Sequence, residues 1–146
     1  MDVKALEEAG KSPNPKEAFG NKKMSLSLLP LAAQLAQCEA HLDGALKYGF
    51  YNWRVNAVEA MTYIDAAKRH LALFEHGEKF ARDTKVQNLG AVMACCAILI
   101  DAELHNKMID NRPISKEVCD ALENAVKIVE HLKKMQAKRE KRRASK

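Results

Sequence analysis

Aromatic rings, cations and amides crowd into one stretch of the chain, Gly44-Ala45-Leu46-Lys47-Tyr48-Gly49-Phe50-Tyr51-Asn52-Trp53-Arg54. The only Trp and two of the three Tyr fall here, beside Lys47, Asn52 and Arg54. An aromatic plane stacks on a nucleobase, and Lys or Arg binds phosphate. The same residues also suit a plain corner between two helices, with Trp53 and Tyr48 packed on a bundle.

A second group is Tyr63-Ile64-Asp65-Ala66-Ala67-Lys68-Arg69-His70, followed by Gly77-Glu78 and Asp83. Asp65 and Arg69 are four apart and share a helix face. A surface ion pair there would contribute only ~0.3–0.5 kcal/mol. His70 lies about 140° round the helix from Asp65 and need not face the same pocket. Glu78 and Asp83 flank a connection between helices. They serve either as cap and turn residues or as oxygen ligands of the kind Mg²⁺ takes. Asp101 closes a long apolar run and sits at the core's edge, either solvated or reaching into a pocket.

Helices must position these side chains. Apolar residues recur at spacings of three and four in four separate segments. The first starts near Pro30, runs through Leu31, Leu35, Cys38, Leu42 and Leu46, and stops at Gly49. The second takes Asn56 as N-cap with Glu59 three residues on, a variant of the capping box, and ends at Gly77. The third follows Asp83 or Thr84 and is apolar nearly all round over 89–100, which makes it the central helix. The fourth is capped by Ser115, and its apolar stripe fades after Met135. No segment alternates with period two, so strands are not needed. The expected fold is an all-α bundle of four main helices. An irregular leader over 1–24, with turn chemistry at Lys11-Ser12-Pro13-Asn14-Pro15-Lys16, precedes a helical domain over 25–136 and a basic tail over 137–146.

Composition narrows the function further. The 146 residues suggest one domain, with 47% hydrophobic and 29% charged residues. The longest apolar run is too short for a membrane span, which needs ~20 residues. The charged N-terminus has no signal-peptide core, so a cytoplasmic protein is expected. None of Cys38, Cys95, Cys96 and Cys119 forms a C-x-x-C pair. The adjacent pair in an apolar run suits buried thiols. Residues 133–146 carry a net +7 against +5 for the whole chain, so the rest is mildly acidic at −2. This run is either a solvated helix end or a non-specific nucleic-acid contact, and no aromatic residue interleaves it for stacking. Phosphate-binding Gly loops, zinc-protease and nucleophile-elbow motifs are all missing, as is an adjacent His-Asp pair.

Taken in order, several stretches resemble the phage and prophage dATP/dGTP diphosphohydrolase domain family, relatives of the MazG-like all-α nucleotide pyrophosphohydrolases. They are Asn14-Pro15-Lys16-Glu17-Ala18-Phe19-Gly20, Lys47-Tyr48-Gly49 with Asn52-Trp53-Arg54, Tyr63-Ile64-Asp65-Ala66 with Arg69-His70-Leu71, Gly77-Glu78, Ile100-Asp101-Ala102 and Asp110-Asn111-Arg112-Pro113. The resemblance implies cleavage of a purine deoxynucleoside triphosphate between its α- and β-phosphates, giving a monophosphate and pyrophosphate. It implies Mg²⁺, or Mn²⁺ in its place, held by Glu78, Asp65, Asp83 and Asp101. Of these, Glu78, Asp65 and Asp83 would also activate water. Lys47, Arg54 and Arg69 would hold phosphates, Tyr48 or Trp53 would pack on the base, and Asn52 and His70 would complete the substrate site. A homo-oligomer is implied as well, with the small residues Ala57, Ala60, Ala66 and Ala67 permitting close approach of another helix. The family usually has an acidic residue three after its Gly-Glu, where this chain has Ala81, and often His where this chain has Asn88. The alternative is a nucleotide sponge on the same scaffold, binding without turnover. A third reading is a structural helical protein with a nucleic-acid tail.

Overall fold

Pro30 cannot donate a backbone hydrogen bond, and helix α1 (Leu31–Tyr48) begins directly after it. Gly49, at φ +93°, ends it where glycine was expected to. The computed structural model describes residues 22–145 together with Lys4, Lys16 and Gly20. The turn at 11–16 and most of the 14–20 stretch lie outside the described residues.

The chain is all-α in its main elements. A short helix, α2 (Asn52–Val55), leads into a two-residue strand, β1 (Val58–Glu59), and then into α3 (Ala60–Glu75). Asn56 is therefore the C-cap of α2 and not the N-cap of the second long helix. The start of α3 is delayed because β1 pairs in parallel with β2 (Met108–Ile109), with Val58 opposite Met108. The Val58 amide donates to the Lys107 carbonyl at 2.9 Å. This small ladder corrects the expectation that no strand is needed.

Helix α4 (Asn88–Leu104) is central, with α1 and α3 both packed on it. It starts at Asn88, later than a cap at Asp83 or Thr84 would place it. The intervening chain folds back on itself instead. The Ala81 amide donates to the Val86 carbonyl at 2.8 Å, and Lys85 takes a left-handed φ of +62°. At Gly90 the helix meets α1 so closely that a Cβ would clash with the Ala36 backbone carbonyl. Small residues dominate the interior: Ala36, Val58, Ala60, Ala81, Ala94 and Ala102 are buried, with Asn88 as the buried polar residue. Ala60 is thus spent inside the chain and is not on an open face for a second helix.

The compact division of the chain falls between Ile109 and Asp110. Beyond it, α5 (Lys116–Ala144) is capped as expected, the Val118 amide donating to Ser115 Oγ at 3.3 Å. The helix continues through the basic run and buries none of its residues. No described helix is long and apolar enough to cross a membrane.

Candidate functional site

Helix α1 presents two neighbouring faces, and each opens on a crevice. Cys38, His41, Leu42 and Ala45 line the first, of about 510 Å³, with Tyr51, Trp53, Arg54 and Asp101 opposite. Ala40, Asp43, Gly44, Lys47 and Tyr48 line the second, of about 310 Å³, with His70, Asp83 and Cys95 opposite. The residues of the aromatic-basic stretch are therefore divided. Lys47 and Tyr48 still belong to α1. Gly49 and Tyr51, both at positive φ, then reverse the chain and carry Trp53 and Arg54 to the other crevice.

In the first crevice one carboxylate organises the chemistry. Asp101 Oδ2 accepts from Trp53 Nε1 at 2.6 Å and from Arg54 Nε at 2.7 Å, and Oδ1 accepts from Arg54 Nη2 at 2.8 Å. The Arg54 bonds, and secondarily the Trp53 bond, hold the Asp101 carboxyl far below the usual carboxylate range. The Arg54 guanidinium stacks on Tyr51, 4.5 Å from the ring centre. His41 lies 5.6 Å from Trp53, centroid to centroid, and burial lowers its pKa. Both charged partners of this crevice are thus satisfied by each other.

The second crevice is built on a buried amide. Asn88 is fully buried, and its Nδ2 donates to the Glu78 carbonyl at 2.7 Å. That bond fixes the amide orientation, because a carbonyl only accepts. Asn88 Oδ1 must therefore face His70 Nδ1, 2.8 Å away, and Nδ1 carries the proton. Nε2 of a neutral His70 is left with its lone pair. Asp83 lies in the same crevice, and backbone hydrogen bonds from Thr84 and from its own amide lower its pKa, with Lys47 and His70 adding to the effect. Lys47 Nζ donates to Asp43 at 2.7 Å, and that bond raises the lysine's pKa.

The other expected site residues lie outside both crevices. Glu78 is held by the Arg82 guanidinium, which lowers its pKa. Asp65 and Arg69 are exposed on α3 and form no ion pair with each other. Asn52 opens α2 and lines neither crevice. No group of three His, Cys, Asp or Glu able to hold a metal exists among the described residues. The expected metal set of Glu78, Asp65, Asp83 and Asp101 is therefore not assembled within the chain. Asp101 is committed to Arg54 and Trp53, Glu78 to Arg82, and Asp65 lines neither crevice. Among the described residues these four carboxylates are not gathered into one site.

Sequence reasoning missed His41, Asp43 and the structural role of Asn88. His41 follows Cys38 by three on α1, a spacing that puts both on one face. Asn88 gave a weaker signal, an amide at the head of an apolar helix. The family model described as dATP/dGTP diphosphohydrolase, N-terminal, matches residues 13–112. No curated protein and no solved structure matches the chain.

Proposed function

The chain belongs to the dATP/dGTP diphosphohydrolase N-terminal family, a family named for an enzyme activity on deoxynucleoside triphosphates, and on that footing we propose that it hydrolyses a purine deoxynucleoside triphosphate to the monophosphate and pyrophosphate at the second crevice. The observation that carries this is His70, locked by Asn88 with Nδ1 protonated and placed beside Asp83, Lys47 and Tyr48. Water adds to the α-phosphorus, and the bond from that phosphorus to the oxygen bridging it to the β-phosphorus breaks. The water's proton passes to His70 Nε2, and pyrophosphate leaves. The imidazolium formed is stabilised by the Asp83 carboxylate. Lys47 offsets phosphate charge, and the exposed Tyr48 ring at the crevice mouth offers a stacking plane for the base. Mg²⁺ or Mn²⁺ enters in this reading as the counterion of the triphosphate.

The test is incubation with each common dNTP and Mg²⁺ or Mn²⁺, followed by chromatography of nucleotides and pyrophosphate. The expected products are dAMP or dGMP with pyrophosphate. Release of single phosphates, or no turnover of any dNTP, overturns the proposal. The buried Ala81, three residues after Glu78 where the family usually has an acidic residue, favours a second reading, a sponge that binds the nucleotide without cleaving it. Tight binding with no turnover would select that reading.

A further inference from the structure

Helix α5 lies beyond the matched family segment and forms, with the chain leading into it, a compact unit of its own. Val118, Leu122, Ala125, Val129 and Leu132 follow one another at spacings of four and three, the seam of a coiled coil. The bulky members of this seam are between 49% and 72% exposed. Val126 and Ile128 flank the seam and are equally open. An isolated helix gains little from propensity and needs a packed apolar face.

Charge along α5 is strongly asymmetric. Residues 116–130 contain Glu117, Asp120, Glu123 and Glu130 against Lys116 and Lys127, a net −2. Residues 133–144 contain seven Lys or Arg and one Glu, a net +6. A parallel pair would stack the two basic halves side by side. An antiparallel pair sets the acidic half of each helix against the basic half of the other. Packing Leu122 at the level of Leu132 then brings Val129 beside Ala125, and Val118 falls at the level of Gln136. Asp120 falls at the level of Lys134 and Glu117 near Lys138 in the same register.

We infer that α5 is a self-association element that pairs antiparallel with α5 of a second copy of this chain. This pairing does not depend on the hydrolase reading, since no crevice residue takes part in it. It is isologous, so the contact closes on itself. The apolar flanks allow two such pairs to join, and the assembly is then a dimer or a tetramer.

Two measurements on the 146-residue chain test it. Sedimentation equilibrium at micromolar concentration is expected to give at least twice the 16.3 kDa chain mass. The double substitution L122D/V129D, at positions exposed within the chain, is expected to return the mass to that of one chain while leaving the main melting transition in place. Orientation is read by cross-linking. K133C is expected to form an oxidative cross-link to Cys119 of another copy, identified by peptide mass spectrometry. In a parallel pair those positions are separated by about 21 Å along the axis. A single-chain mass for the unsubstituted protein, an undiminished mass for L122D/V129D, or 119–119 and 133–133 links without 119–133 would each overturn the inference. So would a monomer that instead shifts duplex DNA through its basic half.

Discussion

Replacing Asn88 by Ala tests the architecture of the second crevice most directly. The side chain is fully buried and makes two hydrogen bonds, one to the Glu78 carbonyl and one with His70 Nδ1. Each typical bond contributes about 1 kcal/mol net, and leaving a buried partner unsatisfied costs about 1–3 kcal/mol. Loss of both should therefore destabilise the fold by about 2–4 kcal/mol. The same substitution frees the His70 tautomer and loosens the 76–87 connection, which the Asn88 backbone amide also ties through Lys79 at 2.9 Å. Urea unfolding followed by circular dichroism measures the first effect. The second appears as a fall in kcat larger than any rise in KM, measured at a temperature where the variant stays folded. Asn88→Asp keeps an acceptor for His70 but loses the donor to Glu78, so it should retain more activity than Asn88→Ala relative to its own stability. A change below about 0.5 kcal/mol for Asn88→Ala, the range of ordinary surface substitutions, would refute the reasoning.

Three further outcomes follow from the same geometry. His70→Gln should lower kcat about 100-fold or more, the usual contribution of a proton-accepting side chain, and leave the melting temperature within a few degrees. Unchanged turnover would remove His70 from the mechanism. Gly90→Ala should destabilise by about 1–3 kcal/mol, because the new methyl meets a backbone oxygen that cannot step aside; denaturant unfolding checks it. Asp101→Asn should lower the melting temperature at pH 7. Because the folded carboxyl titrates below its unfolded value, its contribution is complete above about pH 4 and is lost as pH falls through the folded value. The gap between wild type and Asp101→Asn should therefore close in strong acid, and a gap that widens there would contradict the Arg54–Asp101 pairing.

Local chemistry alone determined the helices. Spacings of three and four marked α1, α3, α4 and α5, Gly49 marked a stop, and Ser115 marked a start, because each of those effects acts within one or two turns. The all-α fold was legible in those spacings, and the family in short stretches read in order. Contacts between distant residues decided the rest. Asn56 and Glu59 read as a capping pair until β1 found β2, whose residues lie far along the chain, and the ladder claimed the backbone that a cap would have used. Asp101 read as either solvated or reaching into a pocket until Arg54, 47 residues away, and Trp53 took both of its oxygens. Lys47 and Trp53 stand six positions apart in one motif, yet they serve different crevices. The left-handed turn at Gly49 and Tyr51 separates them, and only the packing of α1 on α4 fixes which crevice each one faces.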